Sequence, residues 1–418
     1  MMSIKNQKMV KAVNYDVIIA GGGAAGCMAA VRSSLSDRIT LVIEPNKRLG
    51  RKLMITGKGR CNVTNDCSVE ELMNNIPVNP KFLYSAFSEY SSYDTMTFFE
   101  MAGVPLKTER GNRVFPVSDK AEDIVKVFEH ELKRNKVDIL HDKVTELIID
   151  NGVCRGVRCG QKEIYSESVL IATGGKSYPQ TGSTGDGYTL ARQAGHTITE
   201  IKPSLVPVVS EESYCRDMMG LSLKNVTLSL YDRKKCIYKE LGEMLFTHFG
   251  ISGPLVLSAS SHIRKMEKNR YSIKIDLKPA LSPEQLDKRI QRDFSEMLNR
   301  SFSNSLNKLL PAKMIPVIVK LSGIPAECRV NSITKQQRKN LAELIKNFPV
   351  SVKGFRPVEE AIITSGGVSV KEINPKTMES KLVKGLYFAG EVIDVDAYTG
   401  GFNLQIAFST GYCAGHNM

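Results

Sequence analysis

The sequence predicts an α/β fold: a parallel sheet wound with helices, interrupted by a β-rich and then a helix-rich insertion. Three observations carry that prediction. Residues 15–26, YDVIIAGGGAAG, run a β-branched strand into a glycine turn and a helix former. Near Lys202 the composition changes to alternating β patterns, followed by Leu-, Lys- and Arg-rich helical patterns over 281–347. A second strand–glycine–helix unit then appears at 385–415, late enough to return the chain to the first sheet.

The first stretch organises the rest. Val17, Ile18 and Ile19 read as a buried parallel strand. Gly21, Gly23 and Gly26 follow in G-x-G-x-x-G spacing. Gly21 permits a sharp turn out of the strand. Gly23 leaves the backbone open to a pyrophosphate, and Gly26 lets the helix lie close on the sheet. Ala24 and Ala25 begin that helix, whose free N–H groups and dipole attract phosphate. A second β-branched run, 39–43, ends at Glu44, placed to accept hydrogen bonds from ribose hydroxyls. This is a Rossmann-like dinucleotide site; the competing reading is a glycine-rich turn in an ordinary α/β protein.

The 418 residues suffice for two or three domains. Residues 1–14 are polar and basic and lack the apolar core of a signal peptide. They predict a loose N-terminal extension on a cytoplasmic protein. No apolar run is long enough for a membrane span. The nine cysteines form no C-x-x-C pair and the six histidines no H-x-x-x-H pattern, so no metal site is expected. The formal charge of +13 could meet RNA, a membrane or an anionic substrate. Cations interleaved with acids, as in 284–300, read instead as a solvated basic surface, with nucleic acid the weaker partner.

After Glu44, residues 45–65 carry glycines at 50, 57 and 59 among cations at 47, 48, 51, 52, 58 and 60. That pattern suits a loop folded over an anionic cofactor, neither helix nor strand. Residues 80–103 read as helical. Ser118 and Asp119 are candidate caps for the helix that follows them. Short strands are expected over 137–140, 144–149, 153–158 and 163–172, with a hairpin turn at 150–152. The last runs into Thr173 and Gly174. Residues 175–188 are rich in turn residues but hold no second nucleotide motif. The predicted organisation is a discontinuous cofactor domain, 15–195 with 351–418, interrupted by a β-barrel at 196–280 and a helical domain at 281–350.

Together GGGAAG, RLGRK, GRCNVTN, VFPVSDKA, ATGGKSYPQTGSTGDGY, FTHFGISGP, TSGGVSVKEINPKTMESK and GLYFAGEVIDVDAYTGGFN resemble the aminoacetone-oxidase and BaiN type of FAD-dependent flavoproteins. The likeness runs from about Tyr15 to Gly415. It implies an FAD domain of the glutathione-reductase-like class. It places the pyrophosphate at Gly21–Gly26 and the ribose at Glu44. Arg51, Lys52, Arg60, Cys61 and Asn62 are expected along the FAD, with a backbone contact to adenine near Val144. Thr173 and Gly174 lie near the cofactor, Gly390 and Glu391 beside its phosphate and ribityl chain. Gly401, Phe402, Asn403 and Leu404 are expected over the isoalloxazine. Lys58 departs from the resemblance, standing where many such proteins have glycine.

The function expected is hydride transfer through the flavin. NAD(P)H reduces FAD, and a C=C bond of an enone such as a 3-oxo-4,6-diene bile-acid intermediate is reduced. The substrate is then a small apolar molecule with an anionic tail. Tyr398, Tyr178 and His248 are candidate proton donors, Tyr398 first because it precedes the flavin-facing glycines. A peroxide-producing amine oxidase and a flavin-bearing RNA-binding protein remain as alternatives.

Overall fold

The structure, a computed structural model, describes residues 15–263 and 265–418; the extension expected over 1–14 lies outside them. The chain forms two compact units. One comprises the described residues up to Lys202 together with Thr364–Met418; the other is Pro203–Ile363.

The first unit is built on the strand β1 (Tyr15–Ala20). Its residues from Val17 onward are buried, as a strand covered on both faces must be. It pairs in parallel with β2 (Thr40–Ile43) on one side and with strand Lys162–Ile171 on the other. Strand Asp138–Leu140 extends the sheet beyond β2. The long strand Lys162–Ile171 has two roles. Its last residues pair with β1 and, on the opposite edge, with Leu386–Phe388. Its first residues close an antiparallel ribbon with Val153–Cys159 and Glu146–Asp150. Between those two, Asn151 (φ +47°) and Gly152 (φ +76°) make the two-residue turn with both residues left-handed. The late strand–glycine–helix unit therefore rejoins the first sheet.

Helix α1 (Ala24–Ser34) crosses the C-terminal helix Phe402–Asn417 along a seam of glycines. A Cβ on Gly411 would stand 2.3 Å from the Ala25 carbonyl oxygen, and one on Gly415 2.5 Å from that of Ala29. Only glycine permits that approach.

The second unit is a closed barrel. Strands Val208–Ser210, Gly250–Ser252, Lys235–Phe246, Ser222–Asp232, Tyr271–Asp276 and Phe348–Phe355 follow one another around it. Leu228, Leu230, Ile273, Ile275, Phe348 and Val350 fill its interior by period-two alternation. Helices Pro283–Ser295, Ile315–Ser322 and Lys335–Lys346 bury Leu286, Ile290, Ile318, Leu341 and Ile345 in the same core.

Three local expectations are corrected. A boundary at 350/351 would cut the strand that closes the barrel, and a boundary at 280/281 would cut a shared core; the units divide at 203 and 363 instead. The expected loop 45–65 contains a short helix, Arg51–Ile55, because Leu53 has a core to enter. Ser118 and Asp119 do not cap the helix Ala121–Arg134. Its N-cap is Lys120, while Ser118 donates to Asp123 and Asp119 pairs with Arg60 and Lys107.

Candidate functional site

The carboxyl ends of β1 and its neighbours carry the expected residues. Gly21 is left-handed (φ +109°), and a Cβ there would meet the Ala172 carbonyl oxygen at 2.5 Å. Gly26 is tighter: its Cβ would stand 1.9 Å from the Gly21 oxygen. At Gly23, by contrast, a Cβ would meet nothing within 4 Å. The space over Gly23 is open, and it is the N-cap of α1 with no side-chain cap and no acid in the first turn. Unclaimed helix N–H groups facing open space fit a bound pyrophosphate.

Glu44 is buried at the end of β2. It accepts from Gly22 N at 2.8 Å and from Asn46 N at 2.9 Å. Its Oε1 also accepts from Asn46 Nδ2 at 2.5 Å, so Oε2 is the oxygen that keeps a lone pair for a ribose hydroxyl. The turn-rich segment closes over it: Asn46 Nδ2 reaches the Thr181 oxygen at 3.3 Å, and a Cβ on Gly182 would meet that amide at 2.7 Å. Val144 is buried, and among the described residues its N–H has no hydrogen-bond partner, as an adenine contact requires. The Thr173 hydroxyl is likewise buried and unpartnered at the strand end. Gly174, beside it, is left-handed (φ +75°). This set of open N–H groups, buried acid and unpaired hydroxyl fits FAD.

A charged cluster stands beside it. Lys52 Nζ donates to Ser177 Oγ and to Glu391 Oε2, both at 2.6 Å. Glu391 Oε1 accepts from Ser177 Oγ at 3.0 Å and from Thr364 N at 2.8 Å. Thr364 Oγ1 accepts from the backbone of Lys176 and Ser177. Four segments far apart in sequence are thereby tied. Next to it Gly390 (φ +73°) turns the last strand so close that a Cβ would lie 2.9 Å from Ala25 Cβ. The two glycine turns therefore meet.

At the start of the C-terminal helix, Gly401 (φ +99°) presses on strand Thr64–Asn65; a Cβ would stand 2.3 Å from the Thr64 carbonyl. Asn62, its amide oriented by its neighbours, donates to the oxygens of Thr64 and Val114 and accepts from Gly401 N at 2.9 Å. Asn403 is spent on the preceding loop, accepting from Ala397 N and donating to the oxygens of Ala397 and Tyr398. Phe402 is buried and Leu404 half-buried. Beneath them Gln405 accepts from Thr64 and Thr95 and donates to Ser409 and the Tyr90 oxygen. The sequence reading missed Gln405, Ser177 and Thr364. The local signal was Gln405 and Ser409, four apart on a mostly apolar helix.

Some expected residues point elsewhere. Arg60 is held by Glu109 and Asp119 and stacks on Phe115, 4.1 Å from the ring centre. It braces its own loop. Arg51 is exposed and donates to Asn46 at 2.5 Å. Cys61 is fully buried, and burial pushes its thiol up to about 12, so no thiolate forms at neutral pH. Of the candidate donors, Tyr398 and Tyr178 belong to the first unit and are half-buried. Tyr178 is left-handed (φ +53°), a strained backbone for a bulky residue. His248 lies in the barrel unit, exposed, with its ring against Phe249.

A sequence profile described as HI0933-like protein Rossmann domain matches residues 15–417. The chain belongs to the HI0933-like family. Similar proteins include the 3-dehydro-bile acid delta(4,6)-reductase of Clostridium scindens, 30% identical over 95% of this chain and 97% of that one. The ribosomal RNA dihydrouridine synthase of Haemophilus influenzae is 31% identical over the same shares. A similar solved structure is the 3-ketosteroid-delta4-(5alpha)-dehydrogenase of Rhodococcus jostii, with a TM-score of 0.54 over 98% of both chains. At 13% identity that likeness concerns the fold. This HI0933-like protein is an FAD-dependent oxidoreductase.

Proposed function

We propose that this protein uses NAD(P)H to reduce a carbon–carbon double bond conjugated to a carbonyl, and that the bond is the 5,6 bond of uracil within RNA. The names of the two full-length relatives support the reaction. A steroid 3-oxo-diene and a uracil ring share one reactive unit, a C=C beside a C=O. Saturating it needs hydride at the far carbon and a proton at the near one.

The observation that carries the substrate is the distribution of charge. Residues 203–363 hold 26 Lys and Arg against 16 Asp and Glu; the rest of the sequence holds 31 against 28. Ten of the thirteen excess charges thus belong to the insertion. A free steroid needs no such field, whereas a polyphosphate chain does.

When bound, FAD carries the electron pair from the nicotinamide to the substrate carbon as hydride. The protein's part is binding and proton supply. Gly21–Gly26 and Glu44 hold the dinucleotide, and the Lys52–Glu391–Ser177 cluster fixes the neighbouring loops. Tyr398 is the first choice of proton donor, because it precedes the glycines that open the C-terminal helix. Tyr178 is the second.

A second reading, reduction of a bile-acid-type 3-oxo-4,6-diene, is favoured by the Clostridium scindens relative. The test is direct. Purified protein is mixed anaerobically with NADH or NADPH, then offered unmodified ribosomal RNA or the steroid. Bleaching of the flavin, followed by recovery of colour with RNA and a two-hydrogen mass gain on one uridine, is expected. Recovery with the steroid alone moves the substrate to the second reading. Bleaching only by an amine, with peroxide in air, overturns both.

A further inference from the structure

We infer that one end of the barrel, formed by the turn of hairpin Ser222–Asp232/Lys235–Phe246 and the loop entering Tyr271, is the surface on which RNA phosphates dock. The inference rests on the RNA reading above and adds where the contact is made.

The hairpin turn is Arg233–Lys234, with Asp232 opposite Lys235 and Arg233 left-handed (φ +55°). Arg233 N donates to the Arg270 oxygen at 2.8 Å, so the turn is fixed against the neighbouring loop. Two of the three local acids, Asp232 and Glu267, are already ion-paired, and Glu240 alone keeps its charge, bonded to a neutral hydroxyl. Arg270 grips Asp232 with two bonds, at 2.7 and 2.9 Å, and lies 3.4 Å from Glu267, which also meets Lys265 at 3.1 Å. The Arg270 guanidinium holds the Asp232 carboxyl below its usual range. Glu240 accepts from Tyr238 at 2.5 Å.

Six cations remain. Arg233, Lys234, Lys235, Lys239, Lys268 and Lys274 are all exposed, and among the described residues none forms an ion pair. The sheet register aligns two of them: Ser229 is opposite Lys239 on one neighbour and Lys274 on the other. Two strand spacings put that pair of lysines about 10 Å apart on the outer face. Lys274 Nζ stands 5.3 Å over the Tyr231 ring, adding an aromatic surface among the cations.

Unbalanced charge collected on a rigid element repels itself and is relieved by a polyanion. Phosphates supply that without sequence readout. An anionic membrane is the weaker partner, because Asp232 to Lys235 present no apolar side chain for insertion.

The test uses the full-length, FAD-loaded protein. Arg233→Gln/Lys234→Gln/Lys235→Gln is compared with Lys288→Gln/Lys335→Gln/Lys339→Gln, which removes the same charge from exposed helix positions. A second hairpin variant, Lys239→Gln/Lys274→Gln, keeps the turn intact, and thermal melting checks that each folds. Binding of a labelled ribosomal RNA fragment is measured by anisotropy across KCl concentrations. Both hairpin variants are expected to weaken binding, the triple variant at least about tenfold, with its slope of log K against log salt smaller by about two, since each lost phosphate contact removes ~0.7–0.9. The helix variant is expected to bind as wild type. Equal loss in hairpin and helix variants, or none, overturns the inference while leaving the RNA reading intact. Wild-type protein that binds no RNA overturns the reading and the inference with it. Hairpin variants that lose only phosphatidylserine vesicle binding assign the surface to membrane and overturn it too.

Discussion

Lys58 shows how a single residue carries a backbone constraint. It is left-handed (φ +59°) between Gly57 and Gly59, both also at positive φ. An L-residue there costs about 1–2 kcal/mol, a cost that glycine would not carry. His196 carries a different constraint. It is buried, its Nε2 lies 2.8 Å from Ser380 Oγ, and its Nδ1 lies 3.3 Å from Glu372 without hydrogen-bond alignment. Burial pulls its pKa below the ordinary 6.5, only partly opposed by Glu372. Below 6.5 the unfolded chain therefore takes up a proton that the folded chain refuses. Stability present above 6.5 should fall as pH drops towards the depressed folded value. Melting temperatures between pH 7.5 and 5.5 should decline in the wild type and decline less in His196→Gln; parallel curves would remove His196 from the account.

At the scale of elements, the two glycine turns and the helices behind them decide whether the site exists. Gly411→Ala would drive a methyl into the Ala25 carbonyl and force α1 off the C-terminal helix. Overpacking of this kind costs about 1–3 kcal/mol. The variant should melt lower and bind FAD more weakly in titrations of apoprotein; unchanged affinity would show that the seam does not position the site. These elements were legible in the sequence because a glycine motif states a backbone need locally: Gly21 and Gly26 have no room for a Cβ, and the spacing says so. Glu44 was legible for the same reason, at the end of a β-branched run. The Lys52–Glu391–Ser177–Thr364 cluster was not. Its members are ordinary polar residues whose meaning comes from tertiary contact alone. Arg60 failed in the opposite way, since a cation in a glycine-rich loop looks free until Glu109 and Asp119 are folded beside it. The barrel boundary was misplaced because Phe348–Phe355 pairs with Tyr271–Asp276 across all the intervening helices, and no local pattern records such a pairing.

Across the whole molecule the charge is divided unevenly, and the RNA reading gives that division two tasks. The unit carrying β1 is close to neutral and leaves helix N–H groups open over Gly23, where a bound phosphate would not depend on released counterions. The insertion carries most of the excess charge, and its exposed cations act through a field that salt screens within roughly 10 Å at 0.1 M. The two activities should therefore respond differently to ionic strength. Raising KCl from 50 to 200 mM should lower kcat/KM for ribosomal RNA by roughly 300- to 2,000-fold, as expected for six phosphate contacts at ~0.7–0.9 each. Oxidation of NADH with an uncharged dye as acceptor should change by less than about threefold over the same range. Steady-state kinetics with both acceptors on one preparation decides it. If the two rates fall together, salt acts on the protein or on its flavin, and the insertion's charge has no part in choosing the substrate.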